Sequence, residues 1–257
     1  VYCLASYDAG SKKLVTLSHP FSVDVDSAKM EFYEPEKETE DVVLFSKFGM
    51  IGEFFLGRMV GGVFEGSRSP GFEHPDTLFR IKDMPLRLCT AVRVDSTKTY
   101  RYVRYFGPRG GFGNVSEVGF YSSWADTEPL KGDILGPQEG AHGSHSYFNV
   151  FDGHTDTSYD HPFDYGGWAG LDLGEKKAIG KIVYTPRNRD NFVRKDDLYE
   201  LLVCHGGEWK SAGTQVAQSD SLLFRNIPKH ALLLLRDLSR GEAERLFEYK
   251  DGVQKYW

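Results

Sequence analysis

The chain has 257 residues, 40% hydrophobic and 26% charged, with a net charge of −6. This is ordinary globular composition, with enough apolar material for two domains of about 100–130 residues. The acidic balance, with Lys and Arg scattered among Asp and Glu, excludes the concentrated basic face that nucleic acid needs and disfavours docking on an anionic membrane.

In chain order, residues 1–44 are expected to form an N-terminal β segment, a junction with an upstream domain outside this chain. The start at Val1, with no charged leader and apolar core behind it, predicts a processed product or an excised fragment. No window approaches the roughly 18 apolar residues of a membrane-spanning helix. Short alternating or apolar runs recur at Lys13–Leu17, Val42–Phe48, Arg101–Phe106, Lys181–Thr185, Leu198–Val203 and Ala231–Arg236. Gly, Pro, Asn and Asp separate them at intervals typical of a β-sandwich. The Leu232–Leu235 run suits a helix by composition, but its brevity and the preceding Pro228 favour a buried central strand. Residues 124–146, rich in Gly, Pro, Ser and His and without alternation, read as a linker or long connecting loop. Cys3, Cys89 and Cys204 are too few and too far apart for a disulfide framework or a zinc ribbon. One bridge such as Cys3–Cys89 stays open beside the favoured state, buried free thiols.

The two halves echo each other. Val63–Ser67, Thr77–Ile81, the arginine-ended Tyr102–Arg104 and the closing Glu117–Tyr121 follow the same order as Tyr199–Val203, Ser221–Arg225, Leu234–Arg236 and Glu244–Tyr249. Two copies of one β unit explain this more simply than chance. The copies are placed at 45–123 and 147–257.

Trp168-Ala169-Gly170-Leu171-Asp172-Leu173-Gly174, followed by Ile179, Ile182, Pro186-Arg187 and Tyr199-Glu200, resembles the discoidin or coagulation-factor type C family, also called galactose-binding-like. Tyr100–Tyr105 with Glu117 and Phe120-Tyr121 resembles the same family's ending. The resemblance covers about residues 130–257 well and 45–123 moderately, and the combination is similar to the C-terminal part of secreted bacterial proteins with an upstream transglutaminase-like domain. It implies an all-β chain of two tandem jelly-roll β-sandwiches with ligands at one rim of loops. It also implies a secreted, periplasmic or cell-surface location.

Four constellations bear on chemistry. In Asp152-Gly153-His154-Thr155-Asp156-Thr157, a calcium ion, which needs six or more oxygens at about 2.3–2.6 Å, could draw on Asp152, His154, Asp156 and Thr157. The resemblance makes this a loop where calcium braces the fold, with Glu244 contributing from the closing strand. The competing reading is a turn capped by its own side chains. His142, His145, His154 and His161 lack a zinc-site spacing and read as polar rim residues.

A sugar needs a flat aromatic face and bidentate donors. His154, Tyr159, His161 and Tyr165, with Arg187, Arg189, Asn191 and Arg194 of the next loop, are the candidate ligand residues. Trp168 is expected to plug the core. Gly107–Asn114 is glycine-rich but lies between strands, so it reads as a flexible rim loop and not a phosphate cradle. With no GxSxG, P-loop or HExxH motif, the chain is expected to be non-catalytic. The expected function is a glycan-binding or accessory module pair of a larger secreted bacterial protein. The alternative is a pair of structural modules packed on a catalytic domain of the same polypeptide.

Overall fold

Nearly every alternating run of the sequence becomes a strand. The computed structural model describes residues 1–11, 14–48, 55–95, 97–140, 142–240 and 245–256, and the chain is all-β with β-sandwich character. It divides into two compact units: Val1–Met50 together with Asn191–Trp257, and the continuous segment Ile51–Asp190.

The first unit begins with β1 (Ala5–Tyr7), β2 (Leu14–Leu17), β3 (Phe21–Asp24), β4 (Lys29–Phe32) and β5 (Thr39–Leu44); β1–β2 and β3–β4 are hairpins. The second unit holds β6 (Val63–Ser67), β7 (Asp76–Arg80), β8 (Thr90–Arg93), β9 (Thr99–Phe106), β10 (Glu117–Tyr121), β11 (Asp133–Leu135), β12 (Trp168–Ala178) and β13 (Lys181–Thr185). The first unit resumes with β14 (Leu198–His205), β15 (Glu208–Val216), β16 (Leu222–Pro228), β17 (Leu232–Asp237), β18 (Leu246–Lys250) and β19 (Val253–Tyr256).

In the second unit a five-stranded sheet, ordered β11-β12-β9-β6-β7, and a three-stranded sheet, β10-β13-β8, share one core. Phe64 of β6 meets Phe120 of β10 at 6.2 Å and Tyr184 of β13 at 5.3 Å between ring centroids. All three rings are buried, and each contributes roughly 1.5–3 kcal/mol by leaving water. In the first unit the sheet β15-β14-β17-β18-β19 packs its buried face with the β16–β5 pair. Tyr199, Leu201, Leu235 and Phe247 lie in one core with Val42, Leu44, Leu222 and Phe224. Leu232–Leu235 is the expected strand, central in its sheet.

The units do not follow the division read from the sequence. The Trp168–Gly174 run and the Arg101–Phe106 run, assigned above to separate modules, are neighbours in one sheet: Leu171 faces Val103 and Ala169 faces Tyr105. Residues 133–135, inside the expected linker, form β11 at the edge of that sheet. The echo between halves extends to pairing in part. β6 pairs with β9 as β14 pairs with β17, both antiparallel. It then ends: β7 returns to β6, whereas β16 pairs with β5, and β10 joins the second sheet whereas β18 stays beside β17. Similar strand order therefore arises in two different topologies.

Candidate functional site

The glycine-rich segment after β9 is held by backbone contact. His161 N–H donates to Phe112 O at 2.7 Å, Gly110 N–H to Asp164 O at 2.7 Å and Gly107 N–H to Gly167 O at 2.9 Å. Gly107, Gly113 and Gly167 pack backbone against backbone. A Cβ on Gly113, which has φ +63°, would lie 2.8 Å from the Tyr159 ring and 3.0 Å from Gly167 Cα. The glycines thus permit close approach of two loops, and the flexible loop expected for residues 107–114 is instead zipped to residues 159–167.

Beneath this seam lies a polar network. Asn114, fully buried, accepts from Arg58 Nη1 at 2.9 Å and donates to Asp160 Oδ1 at 2.7 Å. The other Asp160 oxygen accepts from Arg187 Nη1. Phe55 is ringed by guanidinium groups, Arg187 at 4.6 Å, Arg189 at 5.2 Å and Arg58 at 5.3 Å from its centroid. Cation–π contact with Phe55 gathers these guanidinium groups, and the Asp160 carboxylate pairs with Arg187.

Above the seam the surface is aromatic. Phe163 and Tyr165 are 51% and 57% exposed, their centroids 6.3 Å apart and their planes within 27°. Arg109 stands 5.2 Å over Tyr165, and His161 meets Phe163 edge-on at 5.7 Å. Two large, nearly parallel rings facing solvent cost hydration free energy that an apolar ligand face would recover.

The residues read as sugar ligands are dispersed. Tyr165 is on the exposed pair, Arg187 and Arg189 are beside Phe55, and His154 is exposed on its own turn. His161 is buried, its Nδ1 2.9 Å from the Tyr159 hydroxyl, and burial holds its imidazole below the usual range. Tyr159 is a core ring of the second unit. Asn191 and Arg194 belong to the first unit and are buried, where Asn191 Nδ2 donates to Phe48 O at 3.3 Å and Arg194 N–H to the Tyr199 hydroxyl at 2.9 Å. Tyr159, Asn191 and Arg194 are therefore turned inward by packing and do not stand at a solvent-facing rim. Phe163 and Arg109 take their place in the geometry, the first legible as an aromatic beside the aspartates and the second hidden in the glycine run. Trp168, expected in the core, is half-buried, tilted against Phe72 at 5.9 Å and under Arg104 at 5.4 Å.

The Asp152 turn is capped by its own side chains. Asp152 Oδ1 accepts from His154 N–H at 2.8 Å, and Oδ2 accepts from the Thr157 hydroxyl at 2.9 Å. Asp156 and His154 are exposed, and Glu244 lies outside the described residues. Among the described residues, a carboxyl that reaches the turn is Glu117 of β10, which accepts from Gly153 N–H at 3.1 Å. Burial, with Val118, Leu130, Ile134, Phe151 and Leu171 lining the same pocket, pushes Glu117 up to about 8, and Asp152 adds to the rise.

None of the three cysteines is in a disulfide; Cys204 is buried, while Cys3 and Cys89 are exposed, unlike the buried state expected of them. No known family model, curated protein or solved structure matches the chain.

Proposed function

We propose that the chain is a non-catalytic, glycan-binding accessory protein of the discoidin-like, galactose-binding-like kind, acting outside the cytoplasm. The reading rests on one observation: the exposed, near-parallel Phe163–Tyr165 pair with Arg109 over one ring. The C–H face of a sugar ring stacks on such a surface, while the Arg109 guanidinium over Tyr165 is placed to donate to adjacent hydroxyls. The five- and three-stranded sheets of the second unit are compatible with a single jelly roll of that family. A structural calcium ion fits the Glu117–Asp152 pair, since two carboxyls in contact need either a shared proton or a cation between them. These two residues and neighbouring loop carbonyls would hold it, and its contribution would be to brace the Asp152 turn against β10.

The testing experiment is a glycan-array screen of the whole chain, in Ca²⁺ and again in EDTA. Binding to a defined set of glycans that disappears in Phe163→Ala and Tyr165→Ala supports the reading. A blank array from folded protein rejects it.

A second reading is favoured by the N-terminal segment, where Tyr2, Leu4, Tyr7, Val15 and Val25 are each more than 60% exposed. Apolar exposure of this kind fits a surface covered by another domain of the same polypeptide. In that case the chain is a docking module and the array stays blank.

A further inference from the structure

Among the described residues, one group of three metal-ligating side chains converges, and it lies in the first unit, apart from the aromatic platform. Ligand atoms of Glu31 on β4, His230 in the turn between β16 and β17, and Glu248 on β18 all lie within 4.8 Å of one another.

The imidazole is set for coordination. His230 Nε2 lies 2.9 Å from Phe32 O, and a carbonyl can only accept, so Nε2 carries the hydrogen. In the neutral ring this leaves a lone pair on Nδ1, which faces Glu248 Oε1 at 3.3 Å. A backbone carbonyl fixing the outer ring nitrogen is the arrangement that orients metal-bound histidines. The ring is further held by Tyr33 at 5.7 Å.

Glu248 is more than nine-tenths buried, and the hydrogen-bonding group that its carboxylate meets is this same Nδ1. Two acceptors facing each other need something positive between them. An imidazolium–carboxylate hydrogen bond would close to about 2.7–2.9 Å. In a tetrahedral site with metal–ligand distances of about 2.0–2.2 Å, donor atoms sit about 3.3–3.6 Å apart, and the observed spacing falls there. An open pocket beside His230 and Glu248, where Glu36, Glu40 and Asp251 outnumber Lys229 and Lys250, supplies a path from solvent that is acidic on balance.

We propose that Glu31, His230 and Glu248 bind a zinc-class divalent ion that pins the β3–β4 hairpin to β18 and to the turn before β17. One imidazole nitrogen and two carboxylate oxygens are ligands of the right softness, and a fourth position remains for solvent. The proposal is independent of the glycan reading, because no residue of the platform takes part.

The test is calorimetric titration of the EDTA-stripped, dialysed full chain with ZnCl₂, paired with thermal unfolding with and without the metal. The expected result is one zinc per chain and a higher Tm when it is bound. His230→Asn, which tolerates the left-handed backbone at this position (φ 54°), and Glu31→Gln, on the surface, should each weaken binding at least about tenfold. Absence of zinc binding overturns the proposal. So does binding that survives intact in both variants, as capture by the exposed Cys3 or Cys89 thiols would. Should His230→Asn fail to fold, Glu31→Gln decides alone.

Discussion

Glu117 and Gly153 are 36 residues apart in sequence, yet the Glu117 carboxyl accepts a 3.1 Å hydrogen bond from the Gly153 amide and lies against Asp152. Its pKa of about 8 is above the ordinary 4.5, so the folded chain holds a proton that the unfolded chain releases. The associated stability is fully present below about pH 4.5 and is lost as pH rises through about 8. Glu117→Gln, neutral at every pH, should remove this part of the pH dependence. Urea unfolding in EDTA across that range measures it, and parallel profiles for both proteins would mean that Glu117 ionises normally. If calcium occupies the pair, adding it at pH 8 should recover the stability lost there, in the parent and not in the variant.

The aromatic platform makes a separable prediction. Phe163 and Tyr165 are about half exposed, so truncation to Ala should change stability by no more than about 0.5 kcal/mol. Glycan binding should fall at least tenfold in either variant, since stacking area is lost. A binding assay beside a denaturant curve separates the two effects. Binding lost only together with stability would assign these rings to packing.

Much of the local structure was legible from residues, and much of the pairing was not. Lys181–Thr185 and Leu232–Leu235 alternate or bury visibly, and each forms the strand its pattern dictates. The partner of a strand leaves no such mark. Val103 and Leu171 face each other across β9 and β12, but nothing in either run distinguishes this partner from another apolar strand of equal length. Recurrence of strand order therefore suggested two tandem copies, and that division left unnoticed that Glu117 reaches the Asp152 turn. Tyr165 was legible as an aromatic in a polar loop. The burial of Tyr159, Asn191 and Arg194 was not, because loop residues carry no periodicity to show which way they point.

Lys47 and Asp237 form an ion pair with both side chains wholly buried, Nζ to Oδ2 at 3.1 Å, a relationship with no sequence signal. Burial alone would raise Asp237, but the Arg240 amide, the Lys47 ammonium and the Ser239 amide outweigh it and hold the carboxyl below its usual range. Asp237→Ala removes the buried carboxylate facing the ammonium and should cost about 3–5 kcal/mol. Lys47→Met should cost less, because Asp237 Oδ1 keeps its bonds from Ser239 N–H and Arg240 N–H. Denaturant unfolding of the two variants gives the order; equal losses would show that the backbone bonds do not stabilise the carboxylate.

Close packing of the glycine seam is testable in the same way. Gly113→Ala forces a Cβ to 2.8 Å from the Tyr159 ring at a φ that disfavours side chains, so a loss above about 1 kcal/mol is expected. Gly110 also has positive φ, at +79°, but nothing within 4 Å of the added carbon. Gly110→Ala carries the conformational strain without the clash and should be milder. Similar losses at both positions would mean that backbone conformation, and not the approach of the two loops, sets the requirement for glycine.

Thiol reactivity provides a chemical check on the first unit. Cys204 lies buried on β14, and burial pushes its thiol up, which removes thiolate and solvent access together. Cys3 and Cys89 are exposed thiols outside any disulfide. Under native conditions a thiol-reactive disulfide reagent should modify two cysteines quickly, and the third at a rate set by opening of the sheet around β14. Denaturant should bring all three to one rate. Rapid labelling of Cys204 in the native protein would mean that the β14–β17 pairing opens readily, and that the core holding Leu201 and Leu235 is not the stable centre of its unit.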